Sequence, residues 1–104
     1  MLNIKSKQNN TDLHAIKLSE KDNVATALVD ISAGTKVNVR RGTEIISILV
    51  RNNIPFGHKL ALKEIDQGEE ILKYGLPIGS ATCSISEGAH VHTQNVKSDR
   101  GSIN

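Results

Sequence analysis

Along most of the chain, apolar and polar residues alternate over four to seven positions. "NVATALVDI", "KVNVR", "KLALKEI", "EILKYG", "GSATCSI" and "HVHTQNV" all show it, and such alternation predicts strands with one buried face. Between these runs one short pattern occurs three times: "ISAGTKV" from Ile31 to Val37, "IDQGEEI" from Ile65 to Ile71, and "ISEGAHV" from Ile85 to Val91. In each, a β-branched residue is followed three positions later by Gly and six positions later by another β-branched residue. The spacing suits a strand that ends on an inward Ile, a tight turn whose Gly takes positive φ, and a new strand that returns to the core. The pattern predicts a compact, mainly β domain of short strands.

Two stretches depart from it. "TEIISILVRNNI" is apolar at Ile45, Ile46, Ile48, Leu49 and Val50, which fits one face of a short helix or a fully buried strand. A polar Gly42-Thr43 start and the Asn52-Asn53…Pro55…Gly57 stop favour a helix from Glu44 to Val50. "YGLPIGS" concentrates Gly75, Pro77 and Gly79, which suits either a tight crossover or a close approach to a ligand. Residues 1–11 and 97–104 are polar and lack periodicity, so they are expected to be mobile tails around a domain spanning 12–96.

Composition narrows the function. A chain of 104 residues with 38% hydrophobic content supports one domain and one modest core, with little room for a deep enzyme cleft. Aromatic residues make up only 2%, so the core is built from Ile, Leu, Val and Ala, and the stacking platforms of single-stranded nucleic-acid binders are missing. Thirteen Lys and Arg against eleven Asp and Glu leave a net charge of +2, spread along the chain, which argues against nucleic acid or anionic membrane as the main partner. Cys83 is alone, so no disulfide framework is expected. No apolar run approaches a membrane span, and "MLNIKSKQNN" lacks the apolar core of a signal peptide, so a cytoplasmic location is expected.

The candidate chemistry centres on histidine. On a strand, His90, His92 and Gln94 would share one face while Val91, Thr93 and Val96 serve the core or a flanking loop. Two imidazoles two residues apart can chelate one ion, and His58, at the mouth of another strand, could join them to suit Zn, Fe or Mn. On spacing alone a His-x-His is more often part of a solvated strand face, and His14, in a polar N-terminal stretch, is the weaker candidate. Lys59 and Lys73, each beside a Gly-containing turn, could meet an anionic substrate or simply lie on a wet face. Tyr74 could donate a proton or cap a core edge. Cys83, with no His nearby in sequence, reads as a buried structural thiol.

The stretch "IPFGHKLALKEIDQGEEILKYGLPIGSATCSISEGAHVHTQNV" resembles the N-terminal SAF-type, or β-clip, domain of the altronate and galactarate dehydratase family. Members of that family read close to "IP-x-GHK-x-AL", "KYG-x-PIG" and "VHTHN", and the likeness extends from about Asp22 to Val96. The resemblance implies a small subunit of a sugar-acid dehydratase that works with a separate large catalytic subunit. A close relative of the same design is the small subunit of sulfolactate sulfo-lyase. It implies elimination: a base removes the proton α to a carboxylate while a β-hydroxyl, or sulfite in the sulfo-lyase, departs. The charge that builds up then calls for a divalent ion, Fe²⁺ or Mn²⁺, or for cationic groups. Carried over by motif, His58, Lys59, Lys73, Tyr74, Gly75, His92 and Asn95 fall at the shared site. Lys59, Lys73, Tyr74, Gly75 and Asn95 are then expected to meet the substrate. His58, His90 and His92 are expected to hold the metal; Gln94 stands where the family has a histidine, so either His90 replaces it from the same face or the metal role is weakened in this chain. Two other readings stay open: a free-standing module that binds a carbohydrate or acidic ligand without catalysis, and a homo-oligomer formed through exposed β edges.

Overall fold

Four Ile-x-x-Gly turns organise the fold, one more than the sequence pattern picked out. The fourth is Ile54-Pro55-Phe56-Gly57-His58-Lys59-Leu60. It was hidden because Leu60 stands where the others have a β-branched residue, and because Asn-Asn-Ile-Pro reads as a stop signal. Gly34, Gly57, Gly68 and Gly88 all adopt φ between 84° and 88°, the left-handed region that a side chain disfavours. The turns work in pairs. Ile31 and Ile54 exchange reciprocal backbone hydrogen bonds of 2.9 and 2.8 Å, and Ile65 and Ile85 do the same at 2.8 Å each way. Each turn glycine then donates its N–H to the carbonyl four residues before the partner Ile: Gly34 to Val50, Gly57 to Ala27, Gly68 to Ala81 and Gly88 to Ala61.

The computed structural model describes residues 13–98; the expected tail at 1–11 and the end of the expected tail at 97–104 lie outside the described residues. The described residues form nine strands: β1 (Ala15–Lys17), β2 (Val24–Ala27), β3 (Lys36–Arg41), β4 (Glu44–Leu49), β5 (Lys59–Ala61), β6 (Glu70–Lys73), β7 (Leu76–Ala81), β8 (His90–Val91) and β9 (Val96–Lys97). The last strand therefore runs one residue past the expected domain end at 96. A six-stranded sheet has the order β4-β3-β1-β2-β5-β8 and a three-stranded sheet the order β9-β7-β6. Among the described strands only β1 and β3 pair in parallel; every other described pair is antiparallel.

The core divides as the turns do. One cluster gathers around Ile31 and Ile54 with Ala15, Val37, Val39, Ile48, Val50 and Leu60. The other surrounds Ile65 and Ile85 with Val24, Ala61, Ile71, Ala81 and Val91. Strands β2 and β5 serve both, because neighbouring residues on a strand face opposite ways: Val24 and Ala61 enter the second cluster, Ala25 and Leu60 the first.

The helix expected at Glu44–Val50 is a strand. Glu44 to Leu49 pair residue by residue with Arg41 to Lys36, across a turn in which Gly42 has φ 64°. Ile46 and Ile48 point inward, whereas Ile45 and Leu49 are 45% and 53% exposed, a period of two that a helix cannot satisfy. A helix of two turns is marginal by itself, and here the neighbouring strand β3 offers a full ladder of hydrogen bonds instead.

A buried polar pair joins the two halves. Asp22 is 5% exposed, and its carboxylate accepts hydrogen bonds from the backbone N–H groups of Ser19 (3.0 Å), Tyr74 (3.0 Å) and Gly75 (2.7 Å). Asn23 donates to the Glu70 carbonyl at 2.8 Å and accepts from Leu72 N–H at 2.9 Å. Together they fasten the β6–β7 hairpin to the start of β2. "YGLPIGS" is accordingly the tip and return strand of a hairpin, not a crossover. Tyr74 and Gly75 form its two-residue turn with φ of 58° and 75°, and Gly79 lies where a Cβ would meet the Lys97 carbonyl oxygen at 2.5 Å.

Candidate functional site

Antiparallel pairing of β5 with β8 sets Lys59 opposite Val91 and Leu60 opposite His90. That register draws together residues within and just outside the short ladder. His58 comes from the second turn, His90 and His92 from the segment after the fourth, and all three are half-buried. Their rings lie nearly parallel in a triangle: His58 and His92 have centroids 3.9 Å apart, His58 and His90 5.1 Å, and His90 and His92 5.5 Å, with interplanar angles of 17°, 11° and 21°. One ring nitrogen from each lies within 4.8 Å of the other two.

The strand expected to carry His90, His92 and Gln94 on one face is shorter than the sequence suggests. It stops at Val91, and residues 92–95 turn back towards β9. Asn95 builds that turn: its side-chain oxygen accepts from His92 N–H at 3.0 Å, its amide donates to the His90 carbonyl at 2.9 Å, and its own N–H reaches the His92 carbonyl at 3.1 Å. Thr93, expected to help serve the core or a loop, is exposed in the turn, while Val91 is fully buried and Val96 packs against the second cluster. Asn52 completes the support by accepting from His90 N–H at 2.9 Å.

The surroundings favour uncharged imidazole. Loss of hydration, followed by the positive neighbours His58, His92 and Lys59, lowers the His90 pKa. Loss of hydration, followed by His58 and Lys59, lowers that of His92. Neutral imidazole is the form that ligates a metal. Three such donors this close fit a divalent first-row ion, whose bonds to His nitrogen are about 2.0–2.1 Å for zinc. The donor set alone does not choose among metals.

Next to the histidines is a cationic pocket. A cavity of about 220 Å³ is lined by Lys59, Ile78, His92, Thr93, Val96 and Ser98. Burial, then repulsion from Lys73, lowers the pKa of Lys59. A neighbouring groove of about 590 Å³, lined by Lys73, Tyr74, Leu76 and Pro77 among others, shares Ile78 and Ser98 with the cavity. Lys73 Nζ lies 5.7 Å from the Tyr74 ring centroid, within reach of a cation–π contact. An anion entering the cavity would meet Lys59 beside His92, with Lys73 on the adjoining groove.

The structure thus brings His58, His90, His92 and Lys59 together, with Lys73 and Tyr74 on the adjoining groove. Gly75 N–H is occupied by Asp22, and the Asn95 side chain is engaged with the backbone of the two histidines, so both shape the site from behind. His14 lies elsewhere, its Nδ1 accepting from Asn38 N–H at 3.0 Å. Cys83, expected to be buried, is exposed, because the segment 82–84 arches outward between the buried Ala81 and Ile85. Sequence reasoning missed Asp22, Asn23 and Asn52. The only signal for the first two was an adjacent Asp-Asn directly before an apolar run; Asn52 gave none beyond its place in a turn.

Comparison with known proteins agrees with this architecture. Residues 13–99 match the family model for the altronate/galactarate dehydratase SAF domain. Altronate dehydratase of Escherichia coli K12 is 43% identical over 84 residues, covering 81% of this chain and 16% of that protein. Its counterpart from Bacillus subtilis is 41% identical over 88 residues, 85% of this chain and 17% of its own. The (2R)-sulfolactate sulfo-lyase subunit alpha of Chromohalobacter salexigens is 45% identical over 51 residues, 49% of this chain and 54% of its own. The chain spans about a sixth of the length of the altronate dehydratases it matches.

Proposed function

The chain belongs to the altronate/galactarate dehydratase SAF-domain family, and we propose that it is the small, ligand-handling part of a cytoplasmic sugar-acid dehydratase completed by a large catalytic subunit. The observation that carries the reading is the convergence of His58, His90 and His92 beside a pocket lined by Lys59, with Lys73 on the adjoining groove. The reaction is β-elimination from a hydroxy acid. A base takes the proton α to the carboxylate, the electron pair of that C–H bond becomes the new C=C bond, and the β-hydroxyl leaves as water after taking up a proton. In this reading Lys59 and Lys73 bind and orient the substrate carboxylate, and Tyr74 lines its approach. Gly75 and Asn95 hold the backbone that presents the site. His58, His90 and His92 would hold a divalent ion, Fe²⁺ or Mn²⁺. Such an ion supplies stabilisation for the enediolate-like charge that develops as the proton leaves.

The need for a large partner is supported by the relatives, in which the matched region is a small fraction of the altronate dehydratases and about half of a sulfo-lyase subunit. It is also supported by Tyr74, Leu76 and Ile78, apolar side chains 67%, 65% and 38% exposed beside the pocket, where a partner could exclude water. A second reading, the small subunit of a sulfolactate sulfo-lyase with sulfite in place of water as leaving group, is favoured by the 45% identity to that subunit.

The test is co-expression with a candidate large subunit, pull-down, and assay on a panel of sugar acids and sulfolactate with Fe²⁺ or Mn²⁺. Activity that requires both chains and fails in His92→Ala supports the shared site, and the substrate turned over separates the two reactions. A chain that never associates, and in which His92→Ala alters only ligand binding, points to a free-standing module instead.

A further inference from the structure

Gln94 reaches back over the turn to the histidine that stands in for the missing one. Its amide nitrogen lies 3.1 Å from His90 Nδ1 and 3.5 Å from the His90 carbonyl oxygen. On the other side of the same ring, His90 Nε2 lies 2.9 Å from His58 Nδ1. The Gln94 amide, turned so that its nitrogen lies against both His90 Nδ1 and the His90 carbonyl oxygen, selects where the protons sit. An amide NH₂ can only donate, so His90 Nδ1 accepts and its ring proton sits on Nε2, from which it is donated to His58 Nδ1. In that arrangement both His90 ring nitrogens have partners, and the His90 and His58 nitrogens that face each other are occupied by one hydrogen bond.

A metal-binding His90 needs the opposite tautomer. For Nε2 to offer a lone pair to the cluster, the proton must move to Nδ1, and Nδ1–H then needs an acceptor. Turning the Gln94 amide by half a turn supplies one, because Oε1 takes the place of the NH₂ group. Few side chains can serve both states: leucine serves neither, and a carboxylate serves only the one with Nδ1–H.

We propose that Gln94 is a positioning residue that selects the tautomer of His90, locking the ring onto His58 in the unloaded chain and, on rotation of its amide, releasing Nε2 as the third metal donor. The proposal rests on the metal reading of the cluster, and it assigns a role to the residue by which this chain departs from the VHTHN pattern. Hydrogen-bond partners behind metal-binding histidines commonly change metal affinity by about 10- to 100-fold.

The experiment uses the full 104-residue chain as wild type, Gln94→Leu and Gln94→Glu. Long-range ¹H–¹⁵N NMR reads the His90 tautomer without and with metal, and Co²⁺ titration followed by visible absorption reads affinity. Unloaded wild type should carry its proton on Nε2 and loaded wild type on Nδ1. Gln94→Glu should hold the Nδ1–H tautomer even without metal, and Gln94→Leu should bind Co²⁺ about 10-fold more weakly than wild type. Unloaded wild type already in the Nδ1–H form, or a leucine variant with wild-type tautomer and affinity, overturns the proposal. Wild type that binds no Co²⁺ instead overturns the metal reading, and the tautomers of the three unloaded chains then decide by themselves whether Gln94 controls the ring.

Discussion

The two turn pairs share a backbone almost bond for bond, yet they differ at the positions the backbone leaves free. In the first pair the glycine donor bonds, Gly34 to Val50 and Gly57 to Ala27, are 2.7 and 2.9 Å; in the second, Gly68 to Ala81 and Gly88 to Ala61, both are 2.8 Å. One residue after the glycine the four turns carry Thr35, His58, Glu69 and Ala89, and two after it Lys36, Lys59, Glu70 and His90. The histidines are not concentrated in either pair. They gather where β5, leaving the first pair, meets β8, leaving the second. Repetition therefore builds the scaffold, and the chemistry sits on the seam between its copies.

The sharpest way to break the equivalence is at glycine. A Cβ on Gly88 would lie 2.0 Å from the Leu49 carbonyl oxygen, whereas none on Gly34, Gly57 or Gly68 meets anything within 4 Å. Gly88→Ala is expected to lose more than about 3 kcal/mol, combining a backbone clash with positive-φ strain. Gly68→Ala should lose only the strain, about 1–2 kcal/mol. Urea denaturation of both variants measures the difference, and equal losses would mean that the close approach at Gly88 is absent in solution.

Next in size is the fastening of the two halves. Asp22→Ala strips a buried acceptor from three backbone N–H groups and should cost about 2–4 kcal/mol. Hydrogen exchange should accelerate first in β6 and β7; uniform acceleration would show that the hairpin has no independent hold.

Tyr74 offers a gain rather than a loss. It is the only described non-glycine residue with positive φ, at 58°, and its side chain is largely exposed. Tyr74→Asn should stabilise the isolated chain by roughly 0.5–1 kcal/mol, since Asn tolerates that conformation better. A higher melting temperature is the expected readout, accompanied by weaker binding of the proposed large subunit if the exposed ring belongs to the interface.

The smallest effect belongs to the third turn. Its Glu69 accepts from Lys63 Nζ at 2.8 Å and from Asp66 N–H at 2.9 Å, and these bonds, Lys63 first, hold its carboxyl below the usual value near 4.5. A depressed carboxylate stabilises the fold above its unfolded pKa, and the contribution is lost as pH falls through the lower folded value. Lys63→Ala should therefore cost under about 1 kcal/mol at neutral pH, as expected of an exposed pair. The gap from wild type should close on acidification below the ordinary glutamate range. A gap that persists there would assign the loss to packing.

Much of this architecture was legible in the chain itself. Alternation located β2, β3, β5, β6, β8 and the end of β7, whose start read as a loop, and the Ile-x-x-Gly spacing marked three of the four turns, because both are properties of a few neighbouring residues and their φ preferences. The motifs GHK, KYG-x-PIG and VHT-x-N also pointed to the family that the comparisons show. What lay beyond local reach was decided by pairing. Residues 44–49 are a strand because β3 was there to bond them, and Cys83 is exposed because the chain arches between two buried anchors. Asp22 matters because a hairpin some fifty residues later brings it two unpaired N–H groups. The histidine cluster shows the same division. Sequence determined that His90 and His92 lie two apart, but only the β5–β8 register could bring His58, 32 residues from His90, within 2.9 Å of it, since that contact is fixed by strand pairing and by nothing in either segment alone.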